Sequence, residues 1–365
     1  MSSHPDIVFP ADVADLDKEV LTRAISARIP GVVVEDFQIL TTKSAGEGVA
    51  STADRVVLEL VYAAGAPSDL PTRLILKTML VGPHAPPEMY ETEVRFYGEI
   101  QPEIQMETPL SFGAQFSGEA GNFGILMEDL ERRGARFPKA TETVSLSEVK
   151  SLLGQLARLH AHFWRSNRFA TDLQWIPTPL AGGMQTIFTN FGYEFVQSQV
   201  DMHPFKQELI APLGRSVRQL WDSLTIVREE QASLPATVLH GDTHIGNTYL
   251  LPNERGGFLD WQLMTRGCFA ADITYLMVTA LPTEVRRTHQ TDLVRFYLDA
   301  LREHGADPVP SFEEAWLLCR KASLWGLVIG WLICPPANYG EEVTAKNIER
   351  TATAVADLDA LAAIG

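Results

Sequence analysis

Cysteine is scarce in this sequence. The three cysteines, Cys268, Cys319 and Cys334, are odd in number and widely spaced. They form neither a CxxC pair nor any other spacing typical of metal ligands, which argues against a disulfide framework and a thiolate zinc site. The pattern suits a reducing compartment, and we interpret each cysteine as a small residue of the core.

Basic residues and long apolar runs are also limited. Thirty Lys and Arg residues stand against 46 Asp and Glu, which gives a formal net charge of -16. Nucleic acids and anionic membranes attract basic surfaces, so neither is expected as a partner. The longest apolar stretch, residues 325–334, is too short to span a bilayer, and the first residues lack the features of a signal peptide. We therefore expect a cytoplasmic protein, and the sequence leaves its oligomeric state open.

The length and the periodicity of the chain indicate two lobes. At 365 residues it exceeds the size at which a single hydrophobic core keeps growing. The first third reads as strand, strand, strand, helix, strand, strand, and its short connections favour an antiparallel sheet in an α+β lobe. From Ser145 onward the apolar spacing is mainly helical, and Ser145 with Glu148 resembles a capping box. The predicted strands are 33–40, 56–62, 74–78, 109–114 and 123–127, with strand character again in 237–251 and 257–261; the predicted helices are 15–29, 86–100, 145–163, 184–200, 205–230, 284–304, 312–332 and 341–363.

Two short motifs carry the strongest chemical signal. HGDTHIGN occupies residues 240–247, and GFLDW begins ten residues after its last member, at residues 257–261. Phosphoryl transfer needs a carboxylate that orients the attacking hydroxyl and accepts its proton, and oxygen ligands that hold Mg²⁺ at the phosphates. Asp242 fits the role of the base, and Asn247 and Asp260 fit the role of metal ligands.

The HGDxHxGN and LDW pair resembles the signature of the aminoglycoside phosphotransferase and choline kinase family. Within that group the chain looks nearer to the ecdysteroid-kinase-like and uncharacterised phosphotransferase branch. The resemblance implies a bilobal protein-kinase-like fold, with a small antiparallel-sheet N-lobe at residues 1–127, a hinge at 128–131 and a larger, mainly helical C-lobe at 132–365. It also implies ATP in the cleft between the lobes, Mg²⁺ as cofactor and a small-molecule hydroxyl as acceptor, with ATP against GTP left open.

Further roles follow from the resemblance by position and order. Lys77 matches the strand lysine that reaches the ATP phosphates, and Glu93 matches the helix glutamate that pairs with it. Glu128 and Leu130 lie in the segment that resembles the hinge, whose backbone meets the adenine. Asp272 matches an aspartate that is usually structural.

A glycine-containing loop precedes the second predicted strand. Gly46 and Gly48 flank a glutamate in this loop. They either cover the nucleotide phosphates or form an ordinary turn, and the sequence does not decide between these two interpretations.

Two departures from the family pattern bear on the acceptor. Many antibiotic kinases carry a proline where this chain has Ile245 or Gly246, which weakens any transfer of substrate identity. The motif also begins with HGD where protein kinases have HRD, which favours a small-molecule acceptor over a protein.

Two other classes of function, a zinc site and an inactive scaffold, are alternatives to the kinase. The HxDxH spacing of His240, Asp242 and His244 resembles part of a zinc site, but further His or Cys partners in a recognisable spacing are not evident. We interpret His240 as a brace that bonds to backbone and His244 as structural or adjacent to the metal ligands. A catalytically inactive nucleotide-binding scaffold is the main alternative to the enzyme, since fold alone does not prove activity.

The composition of the predicted C-lobe favours a neutral or largely apolar alcohol over an aminoglycoside. Between residues 160 and 200 the only acids are Asp172 and Glu194, whereas a polycationic sugar requires several converging carboxylates. The alternative is that the aromatics of this region simply pack the core. These eight aromatics are Phe163, Trp164, Phe169, Trp175, Phe188, Phe191, Tyr193 and Phe195.

Overall fold

The structure, a computed structural model, describes residues 7–44, 52–80, 85–119 and 121–364. The chain divides into two compact units, one formed by Met1–Glu103 with Thr108–Gly134 and the other by Ile104–Glu107 with Ala135–Gly365. The segment predicted as a hinge, residues 128–131, therefore belongs to the first unit.

The first unit contains a five-stranded antiparallel sheet with strand order β1-β2-β3-β5-β4. The order of strands and of the intervening helix is the predicted one, and the predicted antiparallel α+β arrangement is confirmed. The strands are β1 (Val34–Lys43), β2 (Asp54–Tyr62), β3 (Arg73–Thr78), β4 (Ser111–Ser117) and β5 (Asn122–Glu128).

Successive side chains of a strand point to opposite faces of this sheet, and the two faces have different surroundings. On β3, Leu74 and Leu76 point into a buried cluster that includes apolar side chains of helix α1 (Lys18–Ser26). Lys77 directly follows Leu76, so its side chain points to the other face of the sheet, where its strand partner is Ile125 of β5. Helix α2 (Pro87–Arg95) contacts β4 and β5 and then continues as a π-helix over Phe96–Ile100.

The second unit is mainly helical. The predicted capping box of its first long helix, α3, is present, because the Ser145 hydroxyl accepts from the Glu148 amide and the Glu148 carboxylate accepts from the Ser145 amide. The helices are α3 (Leu146–His162), α4 (Gly183–Asn190), α5 (Gly192–Met202), α6 (Pro204–Ile210), α7 (Val217–Ser233), α8 (Ala270–Ala280), α9 (Thr283–Glu303), α10 (Phe312–Trp325), α11 (Pro336–Tyr339), α12 (Glu341–Asp357) and α13 (Ala360–Ile364).

Short strands and tight helical turns complete this unit. β6 (Thr237–Leu239) pairs with β9 (Thr265–Gly267), and β7 (Thr248–Leu250) pairs with β8 (Gly256–Phe258). A 3-10 turn over Ile245–Asn247 leads into β7. Helix α10 continues into a π-helix over Gly326–Leu332, and such helices are frequent at functional sites.

The helix predictions were wrong at identifiable breaks. The helix predicted over 184–200 is divided at Gly192, whose backbone has φ +59°. The helix predicted over 205–230 is interrupted at Pro212 and at Gly214, which is left-handed with φ +59°. Helix α8 was missed because ten of its 11 residues are buried, so the segment lacks the one-sided apolar pattern of a surface helix.

Helix α9 is the longest of the helices, with 21 residues. Among the residues that the structure describes, no helix combines the length and the apolar character needed to cross a membrane.

Candidate active site

In the first unit, a buried ion pair joins Lys77 of β3 to Glu93 of α2. The Lys77 ammonium donates to both carboxylate oxygens of Glu93, with Nζ to Oε distances of 2.8 and 2.6 Å. The side chains are only 4% and 1% exposed. A charged pair at this depth is tolerated because each charge neutralises the other in a low-dielectric surrounding. Glu93 therefore fixes the direction of the Lys77 ammonium.

In the second unit, the loop after β6 brings Asp242 and Asn247 together. Asn247 Nδ2 donates to Asp242 Oδ2 at 2.8 Å and to the Asp242 backbone carbonyl at 3.0 Å. The 3-10 turn over Ile245–Asn247 brings the amide back to the carboxylate across five residues. Since both bonds use Nδ2, the amide oxygen of Asn247 remains as its group for a metal ion.

Asp272, near the start of α8, organises the backbone of this loop. Its carboxylate accepts from the His240 amide at 2.7 Å and from the Gly241 amide at 2.9 Å. The Asp272 carbonyl accepts from the Thr243 hydroxyl at 2.6 Å. His160 Nε2 approaches the same carboxylate at 3.3 Å. These bonds give Asp272 the structural role that the family resemblance implies.

His240 is a brace and not a catalytic group. Its Nε2 lies 3.0 Å from the Leu259 carbonyl, and its Nδ1 accepts from the Asp242 amide at 3.2 Å. The ring packs against Trp261 with a centroid distance of 4.5 Å. Burial lowers the pKa of His240, so the ring is neutral and donates to Leu259 while accepting from Asp242. With both nitrogens engaged, His240 is unsuited to bind zinc, which removes the HxDxH interpretation.

Asp260 follows β8, where the Leu259 amide donates to the Asn247 carbonyl at 3.0 Å. Its backbone is left-handed, with φ +67°, which is uncommon for a residue other than glycine. Asp260 is close enough to raise the pKa of Asp242. Backbone outliers of this kind cluster at functional sites.

The electrostatics of the loop depend on burial and on the neighbouring acids. Burial, together with the charge of Asp260, raises the pKa of Asp242 to about 7, although the bond from Asn247 acts in the opposite direction. Burial also lowers the pKa of His244 to about 4, so this ring is neutral at ordinary pH. A carboxylate in such surroundings is a stronger base than one in water.

An aromatic wall stands beside Asp242, formed by His244, Tyr275, Trp331 and Tyr339. The His244 ring centroid lies 6.0 Å from that of Tyr275, 5.4 Å from Trp331 and 5.7 Å from Tyr339. His244 Nε2 is 3.4 Å from the Tyr339 hydroxyl and 3.8 Å from Asp242 Oδ2. Burial raises the pKa of both tyrosines well above the usual value, so the hydroxyls stay neutral.

These donors fit Mg²⁺ better than a transition metal. The amide oxygen of Asn247 and the carboxylate of Asp260 are hard oxygen ligands, and Mg²⁺ usually takes one or two protein carboxylates together with phosphate and water. Within residues 7–44, 52–80, 85–119 and 121–364, no group of three or more His, Cys, Asp or Glu side chains is arranged to hold a metal ion. Asn247 and Asp260 together would suit a Mg²⁺ ion that a phosphate also binds.

The remaining predicted site residues have different surroundings. The Glu128 carboxylate accepts from the Leu110 amide at 2.9 Å and from Arg133 at 3.0 Å, so its side chain is engaged within the first unit. Leu130 is buried. Gly46 and Gly48 lie outside the described residues, so their predicted contact with phosphates stays a prediction.

Sequence reasoning missed Tyr275 and Tyr339. Tyr275 lies on the helix whose apolar pattern was uninformative, and Tyr339 lies in the short helix α11 after two prolines. Trp331 lies in the apolar stretch over residues 325–334 and is 1% exposed. Only the fold brings these three side chains to His244.

The sheet with its buried lysine–glutamate pair and the loop that holds Asp242 define a kinase-like protein. Residues 45–307, more than half of the chain, match the model of the ecdysteroid kinase-like family. The chain belongs to this family, a kinase-like group of small-molecule phosphotransferases.

Individual relatives are distant. Over 236 residues the chain is 22% identical to the uncharacterized oxidoreductase dhs-27 of Caenorhabditis elegans, covering 60% of this chain and 27% of that protein. Among solved structures, a candidate aminoglycoside phosphotransferase from Ralstonia eutropha is 12% identical with a TM-score of 0.48, covering 93% of this chain and 98% of the other. The choline kinase LicA from Streptococcus pneumoniae is 13% identical with a TM-score of 0.42, covering 93% and 98%. The family assignment rests on the family model.

Gly241→Ala should damage the loop that carries Asp242. The Gly241 backbone has φ +84°, and an added Cβ would lie 2.0 Å from the Leu263 carbonyl oxygen. We expect a loss of at least about 1–3 kcal/mol in the free energy of unfolding. The matched control is Gly154→Ala in α3, where a Cβ meets nothing within 4 Å and alanine should be neutral or stabilising by about 0.5–1 kcal/mol. Chemical denaturation measures the free energy of unfolding of both variants. Equal changes for Gly241→Ala and Gly154→Ala would contradict the structural role of Gly241 in the loop.

Lys77→Met should destabilise the first unit, because it leaves the buried Glu93 carboxylate without its cation. The expected loss is about 3–5 kcal/mol in the free energy of unfolding. The double variant Lys77→Met with Glu93→Met should lose less than the sum of the two single variants. The exposed Lys346, paired with Glu349, supplies the control, since Lys346→Met should cost less than about 1 kcal/mol. Strict additivity in urea unfolding would refute the coupling.

Proposed function

We propose that this protein is an ATP- and Mg²⁺-dependent kinase that phosphorylates a hydroxyl group of a small, neutral or largely apolar alcohol. The observation that carries the proposal is the bond from Asn247 to Asp242, in a loop braced by Asp272 and beside Asp260. Family membership supports phosphotransfer to a small molecule, and the donor set supports Mg²⁺ as the metal.

In the proposed reaction, Asp242 accepts the proton of the acceptor hydroxyl. The hydroxyl oxygen forms a bond to the γ-phosphorus of ATP while the bond from that phosphorus to the bridging oxygen breaks, and ADP leaves with the electron pair. Asn247 holds the Asp242 carboxylate in position through Nδ2. Lys77, oriented by Glu93, neutralises charge on the phosphates of the nucleotide.

Asn247 and Asp260 would hold the magnesium ion. When bound, Mg²⁺ would neutralise phosphate charge as the leaving group departs. The backbone of the segment around Glu128 and Leu130 is proposed to meet the adenine.

The surroundings of Asp242 support a neutral acceptor. The aromatic wall presents ring faces and edges, together with the neutral ring of His244. Asp172, counted among the few acids of this region, is exposed and paired with Arg168. An ammonium group of an acceptor at this wall would compete for Asp242 or Asp260, which are close enough to raise the pKa of Tyr339 and already have proposed roles.

Packing of the core accounts for some of the aromatic side chains between residues 160 and 200. Phe163 is fully buried, and Phe188 belongs to a buried cluster with contacts to Trp221 and Trp325. Phe163 and Phe188 therefore do not support an apolar acceptor. The aromatic wall at His244 is the feature that does. An apolar pocket with few polar groups suits an apolar ligand.

The function is tested by acceptor-dependent release of ADP. A panel of neutral alcohols, amino alcohols and aminoglycosides should give turnover with the neutral alcohols. Nucleotide binding without turnover for any acceptor would instead favour an inactive kinase-like scaffold. Turnover restricted to kanamycin-like compounds would overturn the proposed acceptor class.

Asp242→Asn should abolish transfer while nucleotide binding survives. The amide keeps the size of the side chain and an oxygen for the bond from Asn247, but it cannot accept the proton. We expect kcat to fall at least about 100-fold. Asp222→Asn, at an exposed position of α7, is the control and should behave as the unmodified protein. Near-normal turnover of the Asp242 variant would remove it as the base.

Asp260→Ala should weaken Mg²⁺-dependent nucleotide binding more than Asn247→Ala does. A carboxylate offers the ion a full charge, whereas an amide offers only a dipole. Titration of Mg²⁺ against a fluorescent ATP analogue measures the difference. Equal effects of the two substitutions, or nucleotide binding that ignores Mg²⁺, would count against the proposed metal site.

A further inference from the structure

Lys206 of α6 is a fully buried lysine. Its relative exposure is 0%. Its ammonium donates to two backbone carbonyls, Leu332 at 2.9 Å and Cys334 at 2.7 Å. Within the part of the chain that the structure describes, no carboxylate lies within ion-pair distance of it. Burial lowers the pKa of Lys206 to about 8, and the nearby Cys334 thiol acts in the opposite direction.

Core packing does not account for this lysine. Removing an ammonium group from water costs free energy unless it gains bonds, and an apolar side chain of similar length would fill the same space without that cost. The bonds to the Leu332 and Cys334 carbonyls offset this cost. These carbonyls lie at and just beyond the end of the π-helix over Gly326–Leu332, where backbone acceptors lack helical donors. The ammonium therefore serves these two acceptors.

The two carbonyls belong to the segment that carries the aromatic wall. Trp331 immediately precedes Leu332, and Tyr339 follows Cys334 by five residues. Both side chains contact the His244 ring, which lies two residues from Asp242. The two prolines after Cys334, Pro335 and Pro336, lack N–H groups, so backbone bonding there is reduced. The two bonds from Lys206 thus hold the chain directly before two residues that cannot donate backbone hydrogen bonds.

We propose that Lys206 is a positioning residue that holds the segment Trp331–Tyr339 in the arrangement required for the acceptor beside Asp242. Lys206 acts through the backbone and touches no reacting group. The inference rests on the proposed role of Asp242. The two bonds from Lys206 to the Leu332 and Cys334 carbonyls, which we call the clamp, do not depend on that role.

The clamp is tested first without any assay of activity, by hydrogen exchange and mass spectrometry of the whole protein. Lys206→Met keeps the length of the side chain and removes both bonds. Exchange should become about tenfold faster, or more, for the Ile333, Asn338 and Gly340 amides, which bond to Val328, Pro335 and Pro336. Peptides covering residues 240–250 and 73–78 should keep their rates.

A matched lysine separates the clamp from general loss of a cation. Lys321 of α10 pairs with Glu230, and Lys321→Met should leave exchange in residues 331–340 unchanged. If Lys206→Met does not fold, Lys206→Gln retains an amide donor and should show a smaller acceleration in the same peptide. Acceleration spread evenly over the second unit, or none in 331–340, would overturn the clamp.

The second arm measures kinetics with whichever alcohol of the panel is turned over. Lys206→Met should raise KM for that alcohol about tenfold and leave KM for ATP unchanged, since only the acceptor meets the wall. Equal changes in both KM values, or no change, would overturn the positioning role. If no alcohol is turned over, the proposed function fails, while the exchange result still decides whether Lys206 fastens this segment.

Discussion

The arrangement of the catalytic loop depends on one buried carboxylate, that of Asp272. Two consecutive backbone amides, those of His240 and Gly241, donate to it, so the chain must turn sharply there. Only glycine tolerates this turn, because a Cβ at Gly241 would strike the Leu263 carbonyl. The turn places Asp242 where Asn247 can bond to its carboxylate. The roles proposed for Asp242 and Asn247 follow from this placement.

The chemistry of the site is readable from sequence because its spacing is local. Asp242 and Asn247 are five residues apart, and one turn of 3-10 helix suffices to join them. Lys77 and Glu93 could be paired only through the family resemblance, since their contact joins strand β3 to helix α2 across 16 residues. The succession of strands along the chain was accessible from the sequence, because strands such as β2 alternate between apolar and polar residues, but their spatial order in the sheet was not predicted.

The features that could not be predicted from the sequence depend on tertiary contacts. A helix such as α8, buried all around, shows no periodicity, so Tyr275 could not be assigned to the wall at His244. The contacts of Trp331 and Tyr339 with His244 join residues almost 100 positions apart. Lys206 looks like an ordinary surface lysine until its two carbonyl partners are seen. The contacts of the aromatic wall thus arise from tertiary packing, whereas the bond between Asp242 and Asn247 is local in the sequence.

The central claim is direct transfer of a phosphoryl group from ATP to an alcohol with Asp242 as the base. Phosphorus-31 NMR of the protein with Mg²⁺, ATP and the panel of neutral alcohols tests it most directly. The account predicts a phosphate monoester resonance that grows in step with ADP and is absent with Asp242→Asn. ADP that appears only with inorganic phosphate, or a monoester that forms equally well with the variant, would contradict it.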